Sequence, residues 1–154
     1  MPKVLLPISH LKQTSEGDCL AACAAMLLDH LGLTRGYSDL LQLLRVRSYG
    51  APAGNIRLLA QLGLNVTYSV TDLGGLIQLL QEGLPVIVFL RTGDLPYWKY
   101  STDHAVVVVG YDSETRLIFL NDPYADRANI AVSQGDFELA WSERDYHFAT
   151  ITKQ

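Results

Sequence analysis

Cysteine is scarce in this chain, neither sign of charge is concentrated and no apolar run is long; each shortage removes a class of function. Only two cysteines occur, Cys19 and Cys23. Four residues apart in a segment with helical spacing, they suit a disulfide poorly, and a bridge between them would close a trivial loop. His10, His30, His104 and His147 are scattered and provide no second ligand pair at zinc-site spacing. Reduced thiols, with no metal and no other cofactor, are expected. Twelve Lys and Arg stand against sixteen Asp and Glu, for a formal charge of -4, and with no basic tract nucleic acid is excluded as a partner. The apolar runs Leu84 to Leu90 and Ala105 to Val109 fall far short of the ~20 residues that cross a bilayer, so no transmembrane segment is expected. Met1 to His10 carries one Lys and an apolar patch broken by Pro2 and Pro7, lacking the basic start and apolar core of a secretory signal. A cytoplasmic location follows as the expectation.

What is present describes one folded unit. At 154 residues the chain is near the usual size of a domain, roughly 100 to 150 residues, so residues 1–154 are read as a single domain. The hydrophobic fraction of 49% with 18% charged residues suits a packed core rather than disorder. Leu20, Cys23, Ala24, Leu27, Leu28 and Leu31 recur at three- and four-residue steps, which predicts a buried helix with Asp18 as its N-cap and Gly32 just beyond its end. A second helix is expected after Ser38, a third over Asn55 to Leu62, and, after a strand from Asn65 to Val70, a fourth with the apolar face Leu73, Leu76, Ile77 and Leu80. The second half is rich in Val, Ile, Phe and Tyr: Pro85 to Arg91, Asp103 to Tyr111, Arg116 to Asn121, Asn129 to Ser133 and Tyr146 to Thr152 read as strands. Ser133 caps one further helix over Gln134 to Glu143. Helices first and antiparallel strands later give an α+β fold class, a helical N-terminal half packed on a sheet from the C-terminal half.

Three residues suggest chemistry when taken together. Cys19 opens the first long helix, where unpaired N–H groups and the helix dipole favour a thiolate. A cysteine nucleophile needs an imidazole to take its proton, and the imidazole needs an acceptor to orient it. His104 and Asp122 suit those roles. Asp112 to Thr115 is a turn between two strands, and if Tyr111 pairs with Arg116, His104 falls opposite Pro123. A register change of one residue would then set His104 directly against Asp122. Alone, His104 reads as a histidine at a strand entrance and Asp122 as a turn residue. Gln13, six residues before Cys19, can point its amide at the same helix end and, with the Cys19 N–H, form an oxyanion hole. Cys23, one turn below Cys19, is read as a core residue. The aromatic loop of Tyr97, Trp98 and Tyr100 is read as a wall of the cleft, so that Trp98→Ala should weaken substrate binding more than it alters alkylation of Cys19.

Gln13 to Met26, Thr102 to Tyr111 and Leu120 to Tyr124 resemble the bacteriocin-processing, double-glycine leader peptidases. In that family a Gln precedes an Asp-Cys pair at a helix start, an Asp-His-Ala/Val segment opens a later strand, and an Asp-Pro follows on the next one. This chain has Gln13, Asp18-Cys19, Asp103-His104-Ala105-Val106 and Asp122-Pro123 in that order. The resemblance implies a papain-like fold and a cysteine peptidase acting through a thioester acyl-enzyme, with Cys19 as nucleophile, His104 as general base, Asp122 as orienting acid and Gln13 as oxyanion donor. It also implies a peptide or protein substrate cut after a Gly-Gly or Gly-Ala pair in a leader peptide. Leu20 stands where the family usually has Gly. The best-known members are fused to an ATP-driven transporter, which leaves association with a separate transporter as the corresponding expectation here. Two alternatives keep the same residues: an acyl transferase using the Cys-His-Asp set, and a non-catalytic peptide-binding module.

Overall fold

The computed structural model describes residues 3–154; Met1 and Pro2, the start of the stretch read for a signal, lie outside the described residues. Its elements run β1 (Lys3–Leu5), α1 (Cys19–His30), α2 (Tyr37–Leu43), a 3₁₀ segment (Ala53–Leu62), β2 (Leu64–Val70), α3 (Leu73–Gln81), β3 (Val86–Arg91), β4 (Asp103–Asp112), β5 (Leu117–Asn121), β6 (Ile130–Ser133), α4 (Gln134–Ser142) and β7 (His147–Lys153). The strands form one antiparallel sheet in the order β2-β7-β3-β4-β5-β6, with β1 added alongside β4.

Strand alternation explains the layering. On β3, Ile87 and Phe89 face one way, into a core shared with α1, α2 and the 3₁₀ segment, while Val86, Val88 and Leu90 face the other, into a core shared with α3 and α4. A sheet covered on both faces needs nearly continuous apolar strands, and Val106 to Val109 on β4 are all fully buried. The helices of the first half therefore lie on one face, as the α+β reading expected, and α3 and α4 close the other. The expected Ser133 cap is present, its Oγ accepting from Asp136 N at 3.1 Å, and the Asp72 carboxylate caps α3 by accepting from Gly75 N at 2.8 Å.

Four details differ from the expectation. The strand β1 was not anticipated, because three residues are too few to show alternation. It reaches β4 only because Gly110 has no side chain: a Cβ there would stand 2.4 Å from the Val4 carbonyl. The third helix is a 3₁₀ coil rather than an α-helix, and Gly36, not Ser38, precedes α2. Asp18 stands at the N-cap position of α1, but its side chain makes no cap hydrogen bond. It turns back instead to accept from Thr14 N (3.1 Å), Thr14 Oγ1 (2.6 Å), Ser15 N (3.1 Å) and Tyr37 OH (2.9 Å). This buried carboxylate thus braces the loop leading into Cys19 and ties it to α2.

The register between β4 and β5 also differs. Asp112 pairs with Leu117, and an irregularity between Val108 and Gly110 leaves Val107 opposite Asn121. Continued past Asn121, that ladder would set Asp122 beside Val106 rather than His104. The two side chains meet on the diagonal, two positions apart on one face of the sheet.

Candidate active site

Three chain segments converge at one end of β4. Cys19 is the first residue of α1, His104 the second of β4, and Asp122 the first residue beyond β5. His104 Nε2 donates to Asp122 Oδ1 at 2.7 Å. With that nitrogen occupied, Nδ1 is the ring nitrogen left for Cys19. Cys19 is half-buried, at the mouth of a cleft of about 490 Å³. Its helix partner Cys23 is fully buried in the core, as read from the sequence, and burial pushes its thiol pKa well up.

Electrostatics divide the proton between the pair. Burial alone would raise the Cys19 pKa, but the hydrogen bond from His104, the charge on that ring and the Ala105 N–H outweigh it and leave the thiol below its ordinary value. Burial alone would lower the His104 pKa, but hydrogen bonds to Asp122 and Cys19, with their negative charges, raise it to about 9. The favoured state is a thiolate facing an imidazolium.

Asp122 is fully buried, and a buried carboxylate persists as an anion only when its lone pairs are satisfied. Its Oδ1 accepts from His104 Nε2 and, at 2.9 Å, from Tyr124 N, while its Oδ2 accepts from Tyr97 OH at 2.6 Å and Trp98 Nε1 at 2.9 Å. These bonds overcome the penalty of burial and hold the carboxyl below its usual range. The donors Tyr97 and Trp98 come from a loop closed at its base by Thr92. Its Oγ1 donates to Tyr100 O (2.7 Å) and accepts from Thr102 N (3.0 Å).

Trp98 is accordingly more than a cleft wall. Its ring packs edge-on against His104, with centroids 4.8 Å apart, and stacks on Tyr124 at 4.4 Å. Trp98 lines the cleft, and its contacts with His104 and Asp122 add an effect on the nucleophile: Trp98→Ala should slow alkylation of Cys19 as well as weaken binding. The sequence reading also missed His10. This residue donates from Nε2 to the Asp122 carbonyl at 2.7 Å, while Gln13 N donates to Pro123 O at 2.8 Å, so the N-terminal segment straps the Asp122-Pro123 corner. A lone histidine distant in sequence gave no spacing signal for this.

Gln13 lines the cleft near Cys19. One amide hydrogen goes to Ser15 O at 2.7 Å, and its Oε1 is buried without a partner. The second amide hydrogen is the one available to an oxyanion. Ser48 to Gly50 also line the cleft; they belong to the turn Arg47 to Gly50, whose end residues exchange backbone hydrogen bonds of 3.0 Å, and Tyr49 at its tip is 86% exposed.

A thiol beside an imidazole that is braced by a buried carboxylate is the constellation of cysteine peptidases. The model of the Peptidase_C39 like family matches residues 5–147. The chain belongs to this family. No curated protein matches the sequence, but solved structures share its fold. A protein described as a C39-like peptidase from Bacillus anthracis superposes with a TM-score of 0.84 at 19% identity, covering 100% of this chain and 99% of that one. The peptidase domain of Streptococcus ComA, a bi-functional ABC transporter, gives 0.75 at 20% identity over 96% and 99% of the two chains. A double glycine motif protease of an AMS/PCAT transporter, solved with its leader peptide, gives 0.76 at 16% identity over 100% and 99%. The C39 peptidase fold therefore extends over the described chain, and no described helix is long and apolar enough to cross a membrane.

Proposed function

We propose that the chain, as one peptidase unit over residues 1–154, hydrolyses a peptide bond through Cys19. The thiolate attacks the scissile carbonyl carbon, forming an S–C bond. The oxyanion is met by the Cys19 N–H and the free amide hydrogen of Gln13, and His104 then gives its proton to the departing amine as the C–N bond breaks. Water, deprotonated by His104, cleaves the thioester. Asp122 holds the imidazole in register throughout. The observation that carries this reading is the convergence of Cys19 and His104 on one cleft, with His104 bound to the buried Asp122 carboxylate at 2.7 Å. A leader peptide cut after Gly-Gly or Gly-Ala is the substrate class supported by the double glycine motif relative. Two relatives are parts of transporters, which supports a cytoplasmic site of action and association with a separate transporter.

Iodoacetamide labelling against pH tests the nucleophile. Cys19 should label rapidly at pH 6, well below the ordinary thiol range of ~8.5, with Cys23 silent and His104→Ala at least tenfold slower. The ion pair exists above the lowered Cys19 pKa and below the His104 value of about 9. Hydrolysis of a Gly-Gly peptide should therefore rise with pH through the lowered Cys19 pKa and fall as pH rises through about 9. Slow labelling of both thiols, indifferent to His104→Ala, would sink the proposal, and transfer of the acyl group to an added amine in preference to water would replace hydrolysis with acyl transfer.

Tyr49 offers a separate handle on substrate. An aromatic ring so exposed on a rigid lip has a face to offer a bound peptide, and such a contact contributes about 0.5–1.5 kcal/mol. Tyr49→Ala should raise KM by about 2- to 12-fold and leave iodoacetamide labelling of Cys19 unchanged. An unchanged KM would remove Tyr49 from the substrate site.

A further inference from the structure

Asp122 Oδ2, the oxygen that does not face His104, is fully engaged by two side chains that are adjacent in sequence, Tyr97 at 2.6 Å and Trp98 at 2.9 Å. Tyr97, read from the sequence as part of the cleft wall, is not among the residues that line it, and its hydroxyl donates to this carboxylate alone among the described residues. The loop that carries it is pinned at Thr92, Tyr100 and Thr102. We infer that Tyr97, with Trp98, is a positioning residue that fixes the Asp122 carboxylate and limits how tightly it grips the His104 ring. The inference rests on the catalytic reading above.

A hydrogen bond donated to one oxygen draws negative charge from the whole group, so two donors on Oδ2 weaken the hold of Oδ1 on the imidazolium. His104 has to keep its proton while Cys19 attacks and then release it to the leaving amine, and a general acid works best when its proton is not held too firmly. Asp122 with only His104 and Tyr124 N as donors would hold that proton more firmly and would also be free to rotate. The groups with charge to exert on His104 are Asp122, beyond β5, and Cys19, on α1; Tyr97 is faced by Asp122 and Arg127.

Tyr97→Phe separates this role from a merely structural one. The variant is expected to show a kcat several-fold lower with KM unchanged, and the alkaline limb of hydrolysis should move upward in pH, as the less-encumbered carboxylate grips the imidazolium harder. A role confined to folding would scale the amplitude of activity and leave the limb in place. Replacing the eight tyrosines with 3-fluorotyrosine makes position 97 a stronger donor while preserving its shape. The limb should then move downward, and only when Tyr97 is present; this reading stands even if Tyr97→Phe folds poorly. A limb unmoved by both changes, or moved in the opposite sense, overturns the inference. If labelling of Cys19 still depends on His104 in that case, the peptidase reading survives. If the wild-type protein shows no such dependence, the peptidase reading itself has failed.

Discussion

Asp122→Asn should reduce peptide hydrolysis by roughly 10³- to 10⁴-fold, the scale found when the carboxylate of a catalytic triad is exchanged for its amide. The change is isosteric, yet this site has no place for an amide. Both carboxylate oxygens are acceptors here, and each already receives two donors. An asparagine must direct its NH₂ at one of those pairs. Turned toward Oδ2, it meets the indole N–H of Trp98, which cannot become an acceptor, even if the Tyr97 hydroxyl rotates. Turned toward Oδ1, it meets the Tyr124 N–H and forces His104 to present an unprotonated Nε2, which moves the ring proton to Nδ1 against Cys19 and removes the base. Either way a buried donor is left unsatisfied, at about 1–3 kcal/mol of stability, and the negative charge that supports the imidazolium is gone. Cys19 labelling at pH 6 should fall toward that of His104→Ala. A variant retaining more than a tenth of wild-type hydrolysis would show that Asp122 does not orient His104.

How much of this site could be read from the sequence depended on whether a residue's role is local. Cys19 could be placed because a helix start is a local feature, set by the apolar spacing that follows it. His104 and Asp122 could be paired because a short turn joins their strands, although the reasoning about register was wrong. The expected pairing sets Tyr111 against Arg116, whereas Asp112 pairs with Leu117, a slip that carries Asp122 away from His104; the irregularity between Val108 and Gly110 takes back one residue of it, and the contact is made on the diagonal. The fold class followed from the change of composition along the chain. The division of helices between two faces did not, because alternating side chains that are apolar on both sides carry no label for which helix each side will meet. Asp18 shows the limit of local rules most directly: its position is that of a cap, but Tyr37 and the Thr14-Ser15 backbone compete for its carboxylate and win. Tyr97 reads from the sequence as a wall of the cleft rather than as a donor to Asp122, and His10 and Thr92 carry no assignment, because their partners lie in other segments or are backbone atoms, which no spacing rule encodes.

Gly17→Ala should be the most damaging single-methyl change near the cleft. A Cβ at this position would sit 2.6 Å from the Ser48 carbonyl oxygen, 2.8 Å from that of Arg47 and 2.8 Å from Gly50 N. All three are backbone atoms of the turn that carries Tyr49, and the turn is closed on itself by hydrogen bonds in both directions between Arg47 and Gly50. No flexible side-chain end is available to swing aside, so either the turn or the 13–18 loop must move. The loop is held on its far side by Asp18 through Thr14, Ser15 and Tyr37, and Gly17 is only two residues from the nucleophile. Overpacking of this kind costs about 1–3 kcal/mol, which for a domain of this size lowers the melting temperature by roughly 2–12 °C. Activity should fall further than stability does. Displacing either wall shifts the Cys19 N–H, Gln13 and the Tyr49 lip relative to one another, and a misplacement near 1 Å can cost about 10²-fold in rate. Gly135→Ala, where an added Cβ meets nothing within 4 Å, is the matching control and should cleave at the wild-type rate. Measured well below both melting transitions, equal rates for the two variants would show that the packing of the 13–18 loop against the 47–50 turn does not shape the cleft.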